Sequence, residues 1–337
     1  MVRRQAACLL FLLTLVAGCS SKALDETPPT IEPAQPAQSP PLSQAPAGAI
    51  RPLQGHPQAA IFDGRTAQLV ILTSGPGAEP ASITVIGSQQ TSSRVIALPG
   101  PATALAGDGS GNAYLSTRGG YFEVDLLAGR VTRVPVSGAE TVDFTAITRR
   151  ADGAVALGTA DGSVYALKGG TVSNRTTVFA HVDSLAAQGN TLAILDRGQT
   201  SVTTIGVDGK VGQQLRAGQG ATTMVADPAG RLLVTDTRGG QLLVFGVDPL
   251  ILRQAYPVRQ SPYGVAGSRG LTWVSQTSTN LVIGYDLSTG IPLEKVRYPT
   301  VRQPNTLTFD DAAGTLYVVS AAGGGVQVIE HAAAGPR

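Results

Sequence analysis

The 337-residue sequence predicts an all-β fold, a seven-bladed β-propeller, on three observations. First, 41 Gly and 22 Pro punctuate the chain so densely that, beyond residue 48, only 139–152 and 171–188 exceed 13 residues without either. Both stretches are rich in Val, Thr and Phe and lack a 3.6-residue apolar period, so long helices are excluded. Second, short runs of Val, Leu, Ile and Thr alternate with Asp-Gly, Gly-Asn and Gly-Gly turns, the pattern of consecutive antiparallel hairpins. Third, the chain repeats itself: residues 219–260 align with 261–303 and with 304–337. The unit is a short strand followed by strands such as 232–235, 242–247 and 253–258. Four strands per ~40 residues make one propeller blade.

The same grammar recurs in 55–99, 100–142, 143–178 and 179–218, which brings the count to seven blades. The last unit, 304–337, has only three strands, whereas residues 49–54 (AIRPLQ), just before the first unit, read as a fourth strand leading into Gly55-His56-Pro57. Residues 94–98 precede Gly100-Pro101 in the same way. The N-terminal strand is therefore expected to complete the C-terminal blade and remove the free edges that an open array would expose. An open β-sandwich would make seven near-equal repeats and the missing strand a coincidence.

Upstream of the repeats, Arg3 and Arg4 precede a 12-residue weakly polar to apolar run, 6–17, too short for a membrane span and of the right length for a signal-peptide core. The run ends Val16-Ala17-Gly18-Cys19, which resembles the bacterial lipobox. That resemblance implies a signal peptide over 1–18 and a diacylglyceryl thioether on Cys19, which becomes the mature N-terminus. Two or three acyl chains, palmitate among them, make a stable anchor. The expected location is the cell membrane, on its extracytoplasmic side, without a span. Loss of Arg3, Arg4 and Cys8 leaves 23 basic and 23 acidic side chains and one lipid-blocked Cys, so the mature chain is neutral and no nucleic-acid partner is expected. With 3 His and 2 Cys in all, an iron–sulfur cluster, a His- or Cys-rich metal centre and a disulfide framework are excluded by counting, and no cofactor is expected. Residues 20–48 hold 7 Pro among Ser, Gln and Ala, a composition that forms no core. With Cys19 they read as a stalk that could place the domain up to ~90 Å from the membrane.

The stretches LLVTD (232–236), LYVVS (316–320) and DLSTGI (286–291) resemble the YVTN repeat of bacterial surface and periplasmic propellers, related to the NHL and YncE groups. The whole chain, including LDRGQTSVTTIG (195–206) and DPLILRQAYPVRQ (248–260), is similar to mycobacterial lipoproteins of the LppL type. The resemblance implies an exported, lipid-anchored propeller and specifies no activity.

Most aspartates fall at repeat-equivalent turns: Asp63, Asp108, Asp152, Asp227 and Asp310 after the first strand, and Asp125, Asp208, Asp248 and Asp286 before the fourth. Both sets read as side-chain caps of the turns. Propeller ligands gather where the fourth-to-first and second-to-third connections meet around the central channel. The equivalent first-strand positions there are Ala59, Thr103, Thr145, Asp183, Thr222, Tyr263 and Asn305. They are either a small-ligand site or the polar lining of a water-filled channel. Arg118, Arg197 and Arg238 stand at neighbouring turns before Gly, where they form either a cationic rim for an anionic sugar, phosphate or carboxylate, or solvated groups paired with acids such as Asp196 and Asp236.

Catalytic signals are thin. His56, His181 and His331, the last in a C-terminal tail, accompany no G-x-S-x-G elbow. The one cluster suited to a metal is Asp143, Asp183 and Asn305. The leading expectation is a monomeric binding or scaffolding module for an envelope protein, glycan or lipid. The alternative is a metal-assisted, lactonase-like hydrolase.

Overall fold

The computed structural model describes residues 28–75, 79–88, 93–177 and 179–335. The expected signal peptide over 1–18, Cys19 and residues 20–27 lie outside the described residues.

Seven antiparallel sheets of four strands each follow one another around a ring. Strands are lettered a to d from the channel outward, and the blades occupy 56–97, 105–135, 144–177, 184–216, 221–257, 262–299 and 304–329. The burial of each strand follows from its place. Strands b and c lie between neighbouring blades and are covered on both faces, so they read as near-continuous apolar runs, as in Arg231–Asp236 and Gln241–Val247 of blade 5. Strand d is the outer edge and is the most exposed of the four, with half-buried and exposed residues alternating in Thr171–Thr177 of blade 3. Two of the runs that carried the repeat resemblance, 232–236 and 316–320, are thus doubly buried b strands, and the third, 286–291, is the c-to-d turn of blade 6.

The core is distributed as seven apolar clusters, one at each junction between blades. At the junction of blades 6 and 7, Trp273 stacks on Phe309 with ring centroids 5.6 Å apart. At the junction of blades 7 and 1, Phe62 stacks on Tyr317 at 5.7 Å.

Ring closure occurs as the repeat count requires. Ala49–Arg51 forms strand d of blade 7 and pairs antiparallel with strand c, Val326–Ile329, in the register Ala49↔Val328, Ile50↔Gln327 and Arg51↔Val326. Gly48 turns the chain into this strand at φ +72°, where a Cβ would lie 2.2 Å from the Val328 carbonyl oxygen. Only glycine fits that approach.

The stalk reading fails over the described part of the linker, because residues 31–47 form a strap packed across blades 4 to 7. The Ile31 N–H donates to the Gly198 carbonyl at 2.8 Å and the Ala47 N–H to the Pro299 carbonyl at 3.0 Å. Between them, Ala34 and Ser39 are buried. Ser39 Oγ donates to the Thr277 carbonyl at 2.7 Å and accepts from the Gln303 N–H at 2.8 Å, and Asn280 Nδ2 donates to the Pro40 carbonyl at 3.0 Å. The prolines that argued against a core hold the strap extended, and its carbonyls take bonds from propeller side chains without needing apolar residues of their own.

The tail reading of His331 also needs correction. Ala332–Ala334 form a 3-10 turn, Ala332 is buried, and Tyr298 Oη donates to the Ala332 carbonyl at 2.7 Å.

Candidate functional site at the channel mouth

The seven a strands surround a central cavity of about 750 Å³. Ala59, Thr103, Thr145, Asp183, Thr222, Tyr263 and Asn305 all line it, so residues up to 246 positions apart converge because each lies in, or one or two residues before, the innermost strand of its blade. Gln58 lines it too, beside Ala59 in blade 1.

Convergence does not make the seven equivalent. The three threonine hydroxyls serve as ties between strands. Thr103 Oγ1 donates to the Phe144 carbonyl of the next blade at 2.6 Å, and Thr145 Oγ1 to the Val182 carbonyl at 2.7 Å. Thr222 Oγ1 sits 2.6 Å from Thr237 Oγ1, and Thr237 in turn donates to the Pro262 carbonyl of blade 6 at 2.6 Å. These hydroxyls are committed to holding neighbouring blades at a fixed spacing around the channel.

The remaining polar groups are Asp183, Tyr263 and Asn305. Asp183 accepts the Arg197 N–H on Oδ2 at 2.7 Å, and its Oδ1 lies 3.4 Å from His181 Nδ1. The carboxylate beside it raises the His181 pKa above the usual imidazole value, against burial, which acts the other way. Asn305 Oδ1 accepts from Gln303 Nε2 at 3.1 Å, and the same nitrogen lies 3.1 Å from the Ala37 carbonyl of the strap. Gln303 therefore links the cavity wall to the strap.

The expected cationic rim is not part of this cavity. Arg118 is exposed and 3.8 Å from Asp143. Arg197 donates to the Ala34 carbonyl and Arg238 to the Glu32 carbonyl, the latter at 2.7 Å, so both fix the strap. Nor do Asp196 and Asp236 pair with these arginines. Each is buried and serves as an acceptor for backbone N–H groups: Asp196 for Ala180, His181 and Gln199, Asp236 for Gln219, Gly220 and Gly239. Standing at the end of strand b, each joins the incoming d-to-a loop to its own b-to-c turn. The proposed metal cluster is likewise divided, with Asp183 and Asn305 on the cavity and Asp143 on the exposed surface with Arg118. Among the described residues no group of three or more His, Cys, Asp or Glu is placed to hold a metal ion.

Sequence reasoning found the cavity positions but missed Gln303, Ser39 and Gln327. Gln327, wholly buried in strand c of blade 7, donates to the Ala47 and Pro299 carbonyls at 2.8 and 2.9 Å and accepts the Val301 N–H at 3.0 Å. A lone Gln inside the apolar run Val326–Ile329 was the available signal.

Asp108, Asp125 and Asp286 cap their a-to-b or c-to-d turns as expected. Asp108 Oδ1 accepts the Ser110 N–H at 2.7 Å, Asp125 Oδ1 the Leu127 N–H at 3.0 Å and Asp286 Oδ1 the Ser288 N–H at 2.9 Å.

No protein-family model and no curated protein sequence matches the chain. Solved structures do resemble it. A streptogramin B lyase is similar over 85% of this chain and 94% of its own, at 12% identity and TM-score 0.66. Virginiamycin B lyase from Staphylococcus aureus covers 81% of this chain and 94% of its own, at 12% identity and TM-score 0.66. Hydrazine synthase of Kuenenia stuttgartiensis covers 86% of this chain and 99% of its own, at 12% identity and TM-score 0.64. At this identity the likeness establishes the propeller fold.

Proposed function

We propose that the protein is an exported, lipid-anchored propeller that acts as a binding or scaffolding module at the cell envelope, with the central cavity as its ligand site. One observation carries the ligand site: seven repeat-equivalent positions meet in a single cavity whose walls are fixed by blade-to-blade hydroxyl bonds, while Asp183, Tyr263 and Asn305 add an acceptor, a ring and an amide. A rigid wall with a few such groups suits a polyhydroxylated molecule such as an envelope glycan. The strap's hold on Arg197 and Arg238 shifts the reading away from an anionic ligand gripped by those side chains.

The anchor rests on the lipobox-like Val16-Ala17-Gly18-Cys19 and on the resemblance to mycobacterial lipoproteins of the LppL type. Two experiments test the two halves. Cys19→Ala abolishes acylation and cleavage at this site; equal membrane retention of both forms after a carbonate wash, with the same N-terminus, overturns the lipoprotein assignment. Capture of envelope glycans by the wild type, lost in Tyr263→Phe/Asn305→Ala with an unchanged melting temperature, supports the cavity. Identical capture by both removes it.

A further inference from the structure

We propose that an arginine sector of the upper face, Arg216, Arg238, Arg259 and Arg302, contacts the headgroups of an anionic membrane, so that the channel mouth beside it opens toward the bilayer. The upper face is the one made by the d-to-a and b-to-c connections. This inference rests on the Cys19 anchor proposed above and adds an orientation to it.

The first support is where the tether leaves the propeller. The strap's first bond is Ile31 to Gly198, in the b-to-c turn of blade 4 on the upper face. Ile31 stands only twelve positions after Cys19. Fully extended, this stretch reaches about 40 Å, less than half the span the whole linker would allow as a free stalk. The anchor thus pulls on the upper face, from the side of blades 4 and 5.

The second support is an uneven charge distribution on that face. Around blades 5 to 7 and the loop joining blade 4 to blade 5, the exposed ionisable groups are Arg216, Arg238, Arg259 and Arg302, with Glu32 of the strap as the one exposed acid among the described residues. Asp196 and Asp236 lie buried beneath, their carboxylates taken up by backbone N–H groups. Asp183 stands at the edge of the sector, facing His181. Across the channel, the connections of blades 1 to 3 carry exposed Glu79, Glu140, Asp143 and Asp161, against three arginines: Arg118 pairs with Asp143, Arg175 of the adjoining d strand pairs with Asp161, and Arg133 donates to the Arg118 carbonyl, so this half has no excess of positive charge. The basic half is the half to which the tether leads.

The third support is preorganisation. Arg302 donates to the Ser39 carbonyl at 3.1 Å, Arg238 to the Glu32 and Gln219 carbonyls at 2.7 and 3.3 Å, and Arg216 to the Gly218 carbonyl at 2.9 Å. All three remain exposed while these neutral acceptors fix their direction, so their positive charge is not cancelled. A lipid anchor combined with a basic patch is the two-signal arrangement that stabilises membrane contact, at about fivefold in affinity per basic residue near an anionic surface.

The test uses the acylated full-length mature protein, whose Cys19 thiol is blocked. A fluorophore is placed either on the upper face, at Gln219→Cys, or on the lower face, at Ala312→Cys. Vesicles contain a headgroup-borne quencher in phosphatidylcholine, with or without phosphatidylglycerol. Severalfold stronger quenching of the upper label, present with phosphatidylglycerol and lost both in high salt and when the four arginines are changed to Gln, supports the proposal. Equal quenching of the two labels overturns it. Preferential upper quenching that ignores lipid charge and salt leaves orientation to the tether and overturns the arginine contact; the salt arm decides this in the wild type even if the fourfold variant does not fold. Mass analysis of the same preparation separates the two levels: a chain without acyl groups at Cys19 defeats the anchor, whereas an acylated chain with equal quenching defeats only the orientation.

Discussion

Two adjoining pieces of the N-terminal segment attach to the same propeller by opposite means. Ala49–Arg51 joins blade 7 through a backbone ladder, which any strand of the right length and position could supply. Residues 31–47 join blades 4 to 7 largely through side chains of the ring, Arg197, Arg238, Asn280, Arg302, Gln303 and Gln327, reaching for strap carbonyls. The ladder closes an edge, while the strap covers a face. The first depends on the fold, and the second depends on particular residues of the fold.

The largest expected effect separates these roles. A chain beginning at residue 55 lacks the closing strand and is expected to aggregate or to lose more than about 4 kcal/mol, since it exposes the edge of strand c in blade 7 and removes Leu53 from the junction of blades 7 and 1. A chain beginning at residue 48 keeps the strand, loses the strap and is expected to fold with a lower melting temperature. Equal melting temperatures for the two truncations would erase the distinction between ladder and strap.

Next comes a side-chain tie inside the ring. Asp236→Ala leaves the N–H groups of Gln219, Gly220 and Gly239 without their acceptor in a buried site, which is expected to cost about 3 kcal/mol in denaturant unfolding. Asp286→Ala removes a partly exposed turn cap, beside Lys295, at the opposite end of a blade and is expected to cost much less than Asp236→Ala. Similar losses at both positions would show that burial does not govern the worth of these ties.

Within the strap, Ser39→Ala removes one donor and one acceptor in a buried position and is expected to cost about 1–2 kcal/mol. Its mark should be local: faster amide exchange over residues 31–47 with no change in the blades. Exchange rising throughout the ring would mean that the strap is part of the propeller's cooperative unit.

The smallest effect is a pH dependence at the channel mouth. Asp183 raises the pKa of His181 in the folded state, so protonated His181 stabilises the fold at pH below its unfolded pKa. That contribution disappears as pH rises through the folded pKa. The stability difference between wild type and His181→Gln is therefore expected to favour the wild type in mildly acidic buffer and to shrink toward alkaline pH. The partial exposure of the pair keeps the effect small. A difference that grows with pH would contradict the pairing.

The ring was legible in the sequence because its determinants are local and repeated. Gly and Asp mark the turns, doubly buried b and c strands read as apolar runs, and a three-stranded last unit points to a strand elsewhere. The channel positions followed from the same repeat, since Thr103, Asp183 and Asn305 each stand at the entry to an a strand. The strap was not legible, because Pro-, Ala- and Ser-rich composition signals the absence of a self-made core, and a segment that borrows its bonds from Gln303 and Asn280 needs no core of its own. The roles of Arg197 and Arg238 were hidden for the same reason: their partners are carbonyls, which every residue carries.

Ring closure also orders events in time. Ala49 pairs with Val328, so the first strand among the described residues is among the last to find its partner. Until Val326–Ile329 has emerged, blade 7 is incomplete and the growing array carries an unpaired edge at each end. Loop closure over nearly the whole chain then falls to one late, non-local step, whose entropic cost the earlier blades lower by already holding the chain in a curve. Proteolysis or premature termination before Val326 thus leaves six blades with nothing to close on, a species built for aggregation rather than for partial function.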